Sequence, residues 1–344
     1  MQGGFRVGIV GATGAVGGEF LRLFEERAFP ISSLRLFASE RSVGRTLSFR
    51  SREIPIELAS AENMAGHDFV FFSAGASRSR ALVPAALEAG ATVIDNSSAF
   101  RMDPGVALVV PEVNSDEILP DQHLFAVPNC TAIILLVAIN PLQQLGALDR
   151  VIVSTYQSAS GGGAAMMHEL REQTRAALAG GTFDRNLSFP PYAFNLFSHN
   201  TAINSHGYNE EEWKVIEESR KILRKPSLKM NVTCVRVPVL RAHSESVTVE
   251  FAETAPSIEE VRRVLASAPG VRLVDDQEAN HFPTPLEASG QGDVLVGRLR
   301  ADLSNPKAIS MFICGDQLLK GAAINAVQIA ERLISVGQPV GDTA

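Results

Sequence analysis

Phe5-Arg6-Val7-Gly8-Ile9-Val10-Gly11-Ala12-Thr13-Gly14-Ala15-Val16-Gly17 decides the fold. Phe5 to Val10 is an apolar, β-prone run that ends at Gly11, and residues 15–26 place Val16, Phe20, Leu23 and Phe24 at helical spacing. The order is therefore strand, glycine turn, helix. Glycines at such a turn let the backbone approach a pyrophosphate, and the helix N-terminus supplies N–H donors. The G-x-x-G-x-x-G spacing departs from the usual G-x-G-x-x-G fingerprint, and glycine turns also occur without ligands; the βα context is what favours a cofactor. Working outward, strand-like runs at 34–38, 69–72 and 92–94 and a helical stretch at 79–88 extend a βα alternation that predicts a mostly parallel sheet. The second strand runs into Ser39-Glu40-Arg41-Ser42, where an acid suits the ribose hydroxyls of NAD and an arginine suits the extra phosphate of NADP. Both types are present; the hydroxyls flanking Arg41 favour NADP.

The 344 residues exceed one typical core and predict two domains, with a boundary near Val127. Beyond it, strands are expected at 150–157, 232–239, 246–253, 294–303 and 309–314, and helices at 130–145, 164–178, 210–223 and 258–266, an α+β pattern. Residues 181–208 read as a long loop, and 317–336 return to helical spacing. A net charge of -7 argues against a nucleic-acid partner but allows a local basic pocket for a small anion. Three scattered cysteines, Cys130, Cys234 and Cys314, suit neither a disulfide scaffold nor a metal site. No signal or transit segment is visible before Phe5, so the expected location is the cytoplasm. The most apolar stretch, 131–142, is interrupted by Asn140 and Pro141, and no membrane span is expected.

In Val127-Pro128-Asn129-Cys130-Thr131 the proline holds the entering chain extended, and Asn129 can cap a helix beginning about Cys130. A thiol there sits where the macrodipole and unpaired N–H groups stabilise a thiolate, and those N–H groups can also hold an oxyanion. Taken alone, a cysteine before an apolar helix is more often an inert core residue. Cys234 and Cys314 lie in strand-like runs and read as core. His243 reads as a turn residue between two strands, able to reach a cleft, and Arg236 on the preceding strand can bind a carboxylate bidentately; taken alone, each reads as an ordinary solvated surface residue. Arg101 follows a strand of the βα region, where ligands of such sheets bind. Glu211 and Lys214, one helical turn apart, read by themselves as a solvated pair. Tyr156-Gln157-Ser158-Ala159-Ser160-Gly161-Gly162-Gly163 closes a strand and opens a helix, either a second anion nest or a flexible turn.

Together the glycine turn, Pro128-Asn129-Cys130-Thr131, Tyr156-Gln157-Ser158-Ala159-Ser160-Gly161, and Arg236 with His243 resemble the aspartate-semialdehyde dehydrogenase family, from Phe5 through the last helix. The resemblance implies an α/β fold: a Rossmann-type NADP-binding domain (1–127 with 318–344, the C-terminal helix packing back) and an α+β catalytic and dimerisation domain (128–317) resembling that of glyceraldehyde-3-phosphate dehydrogenase. It implies Cys130 as a nucleophile forming a thioester, Gln157 as an orienting group and His243 as general acid/base. By the same resemblance Arg236 clamps the substrate carboxylate, assisted by Glu211, and Arg101, Lys214 and Asn129 form a phosphate site. Gly11, Thr13, Gly14, Ala15, Val16, Arg41 and Ser42 would face the adenosine-phosphate end of NADP, with Ser160, Gly161 and Gln317 near the nicotinamide. The implied reaction is NADPH-dependent conversion of aspartyl phosphate to aspartate semialdehyde and inorganic phosphate, feeding lysine, methionine and threonine biosynthesis, in a homodimer or a tetramer built from such dimers. No metal is implied. The alternatives are an N-acetyl-glutamyl-phosphate reductase, which shares fold and chemistry, and a catalytically silent dinucleotide-binding paralogue.

Overall fold

Strand β1 (Phe5–Val10) pairs in parallel with β2 (Ile31–Ala38) on one side and β5 (Phe69–Phe72) on the other. Val7, Ile9 and all four residues of β5 are buried, as a strand covered on both faces requires. The sheet continues through β3 (Thr46–Phe49), β4 (Arg52–Leu58), β6 (Thr92–Asp95), β7 (Ala107–Leu108) and β8 (Leu124–Ala126) in the order β3-β4-β2-β1-β5-β6-β8-β7. The computed structural model describes residues 4–181 and 190–337. Its chain divides into two units, residues 1–128 with 322–344, and residues 129–321.

Helix α1 (Ala15–Glu26) buries Gly17, Phe20, Leu21, Leu23 and Phe24. The rings of Phe20 and Phe24 lie 5.1 and 5.2 Å from that of Phe71. Gly11 has φ +92°, and a Cβ on Gly17 would lie 2.4 Å from the Gly11 carbonyl oxygen, so the turn needs glycine at its first and third positions for geometry alone. Helix α2 (Ala76–Glu88) follows β5, and a short turn of helix, α3 (Pro111–Asn114), follows β7. The antiparallel hairpin β3–β4 has no counterpart in the sequence reading. Its turn uses Arg50 and Ser51 at φ 48° and 60°, where asparagine or glycine would have announced it, and Pro55 interrupts the strand signal.

The second unit opens with α4 (Cys130–Ile139), in which every residue after Cys130 is buried. It was expected to reach Leu145; instead it ends at Ile139 and continues as a 3-10 turn, Asn140–Gln144, because Pro141 lacks the N–H an α-helix needs and its ring crowds the preceding turn. The sheet comprises β9 (Leu148–Gln157), β10 (Phe197–Ser198), β11 (Lys229–Arg236), β12 (His243–Phe251), β13 (Val271–Leu273), β14 (Val294–Ala301) and β15 (Ala308–Gly315), in the order β10-β11-β9-β12-β15-β14-β13. The helices α5 (Gly163–Leu178), α6 (Glu210–Ile222), α7 (Ile258–Ala266) and α8 (Pro285–Ala288) complete it, with α4 packed against β12, β14, β15 and α6. Of the expected loop 181–208, residues 182–189 lie outside the described residues; the rest contains β10. After β15 a π-helical turn, Leu319–Ala323, leads into α9 (Ile324–Ser335), which packs against α1, α3 and β6 in the first unit. The architecture is the α/β arrangement expected, a Rossmann-type sheet and a separate α+β unit.

Gly17→Ala is expected to lower the unfolding free energy in urea by about 1–3 kcal/mol through overpacking. Gly18→Ala, where a Cβ meets nothing within 4 Å, is expected instead to raise it by about 0.5–1 kcal/mol, as alanine does for glycine in a helix.

Candidate active site

Strand register assembles the site. Arg236 of β11 stands opposite Gln157 of β9, and Ser244 of β12 stands opposite Tyr156, which brings His243 beside Gln157. Arg236, Gln157 and His243 thus form one buried cross-strand row, while Tyr156 on the other face is exposed. The row behind it is Cys234, Thr155, Glu245 and Ile313. Burial pushes the Glu245 carboxyl well above the usual carboxylate range. His243 was expected in a turn with access to a cleft. It is instead the first residue of β12 and fully buried, because the strand starts earlier than its β-branched run suggests.

Cys130 is the first residue of α4, partly exposed and outside any disulfide. Asn129 caps the helix as its position predicts, its Oδ1 accepting from the N–H groups of Thr131 (3.0 Å) and Ala132 (3.2 Å). Those two donors are therefore engaged by the cap. Asn129 is fixed in turn by its N–H to Glu218 Oε2 (2.6 Å) and its Nδ2 to Glu211 Oε1 (2.9 Å). Gln157 Nε2 donates to Thr131 Oγ1 (3.1 Å) and to Glu211 Oε1 (3.0 Å), which ties the row to the start of α4. A Cβ on Gly321, in the π-helical turn, would lie 2.9 Å from Cys130 Cβ, so backbone walls the nucleophile on that side.

Glu211, read alone as half of a solvated pair, is buried. Burial opposes its ionisation, but His199, Asn129, Lys214 and Gln157 together outweigh burial and hold the carboxyl down at about 2. Lys214 is half-exposed and lies 3.8 Å from Glu210, one turn away. His243 Nδ1 accepts from the Ser158 N–H (3.0 Å) and lies 3.1 Å from Ser158 Oγ, which puts the proton of the neutral ring on Nε2. That Nε2 is buried with no partner among the described residues. Burial and the Arg236 charge depress the His243 pKa to about 3, against the opposing pull of Glu211. Arg236 donates from Nη1 to Ser158 O (3.1 Å) and from Nη2 to His199 Nε2 (2.8 Å), leaving Nε unpartnered. Gly161 lies against both groups: a Cβ there would meet Arg236 Nη1 at 2.8 Å and the His243 ring at 2.9 Å. Gln317 Nε2 donates to Ser160 Oγ and its Oε1 accepts from Ala242 N (3.0 Å), bracing the turn that delivers His243.

In the first unit, Gly14 caps α1 with extended backbone and no side-chain bond. Thr13 and Gly14 are exposed, Ala15 and Val16 half-buried. Beyond β2, a 3-10 turn, Glu40–Ser42, exposes Arg41 and buries Ser42. Arg101 is buried, with Nε on Val127 O (2.9 Å) and Nη2 on Asn96 O (3.0 Å), just past the carboxyl ends of β8 and β6. Cys234 and Cys314 are core, their thiols raised by burial. Among the described residues no cluster suited to a metal is present, and no helix is long and apolar enough to cross a membrane. The sequence reading missed His199, Glu218 and Gly321. A lone histidine in an aperiodic stretch and a glutamate on an acidic helix give no signal, and the π-turn glycine is invisible without the fold.

Residues 6–120 match the family described as "Semialdehyde dehydrogenase, NAD binding domain", and residues 139–320 match "Semialdehyde dehydrogenase, dimerisation domain". The chain is 49% identical over 337 residues to the aspartate-semialdehyde dehydrogenase of Synechocystis sp., covering 98% of this chain and 99% of that protein. The chain belongs to the aspartate-semialdehyde dehydrogenase family. The Aquifex aeolicus member is 44% identical over 97% of this chain and 99% of its own. Among solved structures, aspartate semialdehyde dehydrogenase II from Vibrio cholerae superposes with a TM-score of 0.92 at 40% identity, covering 96% of this chain and 99% of that one. The same Vibrio enzyme is also known in complex with ASA.

The unfolded imidazole of His243 binds a proton below about 6.5, whereas the folded one stays neutral to about 3. In that window the unfolded state takes up the extra proton, so stability is greatest above the upper limit and falls with falling pH. His243→Asn is expected to flatten this slope by about one proton, ~1.4 kcal/mol per pH unit, in urea titrations across the window.

Proposed function

We propose that the chain is a phosphorylating, NADP-dependent aspartate-semialdehyde dehydrogenase. In the biosynthetic direction it converts L-aspartyl 4-phosphate to L-aspartate 4-semialdehyde and inorganic phosphate. One observation carries this reading: the row Arg236–Gln157–His243 is tied by Gln157 to the helix start that bears Cys130. A cation for a carboxylate, a proton carrier and a nucleophile are thereby held on one scaffold.

Cys130 attacks the acyl carbon as thiolate and expels phosphate, forming a thioester. Arg236 takes the substrate carboxylate through its unpaired Nε edge, and Glu211, ionised, faces the substrate ammonium. Bound nicotinamide dinucleotide supplies the hydride. His243 Nε2–H gives a proton to the carbonyl oxygen as charge builds there, and takes it back as the carbon–sulfur bond breaks. Neutralisation of Arg236 by the substrate carboxylate removes one of the influences that depress His243, so the imidazole becomes a better base once substrate is bound. Gln157, with both amide hydrogens committed to Thr131 and Glu211, orients the nucleophile's helix and the carboxylate at once.

Phosphate is assigned to Arg101, Lys214 and Asn129. The residues present fit a dinucleotide: Gly11, Thr13, Gly14, Ala15 and Val16 lead into the N-terminus of α1, which no side chain caps. The exposed Arg41 beside Ser42 suits the extra phosphate of NADP. Ser160, Gly161 and Gln317 are assigned to the nicotinamide end. A homodimer through the second unit fits the uncovered face of its sheet, where exposed Tyr156 and half-buried Phe312 pair at 6.1 Å among serines and threonines. Cytoplasmic residence fits a biosynthetic role.

The assay follows NADPH formation from aspartate semialdehyde, NADP and phosphate; absence of phosphate-dependent turnover overturns the reading. Replacing the substrate with N-acetyl-glutamate semialdehyde tests the related reductase. Cys130→Ala is expected to abolish turnover while NADP binding persists, and retained activity would exclude covalent catalysis. Arg236→Lys is expected to raise KM about 10- to 100-fold by losing the bidentate pair, with a smaller change in kcat.

A further inference from the structure

Arg236 is held by two partners of the same electrical kind. Among the described residues its fork donates to the Ser158 carbonyl and to the His199 ring, both uncharged acceptors, although buried Glu211 is near enough to act on the same His199 ring. His199 reaches this position through the backbone. Phe197 and Ser198 of β10 pair with Arg236 and Val235 of β11, and the His199 N–H donates to Cys234 O at 2.9 Å. The edge strand thus aims one imidazole at the end of β11.

A guanidinium never accepts a hydrogen bond, so the 2.8 Å contact makes His199 Nε2 the acceptor and places the ring proton on Nδ1. Nδ1 is buried with no partner among the described residues. Burial, with Arg236 and Lys214 close by, depresses the His199 pKa to about 4 despite the pull of Glu211, so the ring is uncharged under working conditions.

We propose that His199 is a positioning residue for substrate binding: it fixes the Arg236 fork with a neutral acceptor and leaves the cation's charge available to the substrate carboxylate. This rests on the assignment of Arg236 as the carboxylate clamp. A carboxylate in place of His199 would hold Arg236 more firmly still, since a charged pair is the stronger one. It would also satisfy the cation in advance, and substrate would have to displace it. Orientation and charge therefore make opposite demands here, and an imidazole meets both.

That opposition supplies the test. Wild type, His199→Gln, His199→Glu and His199→Ala are compared in the phosphate-dependent NADPH assay, with NADP affinity and thermal midpoint recorded for each to establish folding. Glutamine can present a neutral amide oxygen to Arg236, and its KM for aspartate semialdehyde is expected within about threefold of wild type. Glutamate is expected to raise that KM by about tenfold or more with kcat much less affected, because its carboxylate competes for the fork. Alanine, which keeps the charge and loses the acceptor, is expected to raise KM by a smaller factor that glutamine restores. This alanine–glutamine comparison decides the matter if the glutamate variant does not fold. Equal KM increases for glutamate and glutamine, or wild-type KM in glutamate and alanine, would overturn the proposal. If wild type itself shows no phosphate-dependent turnover, the functional assignment fails. If Arg236→Lys raises KM while the His199 variants do not, only the role of His199 fails.

Discussion

The carboxylate of Glu211 joins the parts of the second unit on which everything else depends. One oxygen accepts from Asn129 Nδ2 and Gln157 Nε2, so the residue that caps α4 and the residue at the centre of the cross-strand row answer to the same acceptor. A charge in that position is costly to bury, and the Asn129 and Gln157 amide donors together with Lys214 help to hold it ionised. The same arrangement holds the first turn of α4 against the end of β9, so that the nucleophile and the proton carrier are placed by a single node. Neither amide has much freedom left: Asn129 is bonded through its N–H, Oδ1 and Nδ2.

Around this node the site is built largely of neutral acceptors and orphaned donors. His243 Nε2, Arg236 Nε and His199 Nδ1 are all buried and without partners among the described residues, and unpaired polar atoms inside a protein are costly unless something pairs with them part of the time. Their chemistry matches a small molecule carrying a carboxylate and a carbonyl oxygen. The backbone of Gly161 passes so close to His243 and Arg236 that only a residue without a side chain fits there.

Much of this was legible in the chain. Strand β1 and helix α1 have the bounds their periodicity predicts, because an apolar run ending in glycine and an amphipathic helix are local signals. Asn129 as a cap was equally local. Distance in the sequence hid the rest. Glu211 sits on a helix rich in acids, and only the approach of α6 to α4 separates it from solvated neighbours such as Glu210. His243 looked like a turn residue because the β-branched run begins later, whereas pairing with Gly315 of β15 extends the strand back to it. His199 had no signal at all, its role being set by an edge strand of two residues. The β3–β4 hairpin was lost to a turn made without glycine or asparagine.

The π-helical turn at Leu319–Ala323 brings Gly321 against Cys130 and then hands the chain to α9, whose buried side carries Ile324, Val327, Ile329, Ala330 and Leu333. Such a turn holds one residue more than an α-helical turn in the same span. Each residue advances a helix by about 100°, so the extra one sets the rotational phase of everything that follows. Loss of a single residue here would leave composition and helix length almost unchanged, yet it would swing the apolar stripe of α9 a quarter-turn or more off its seat.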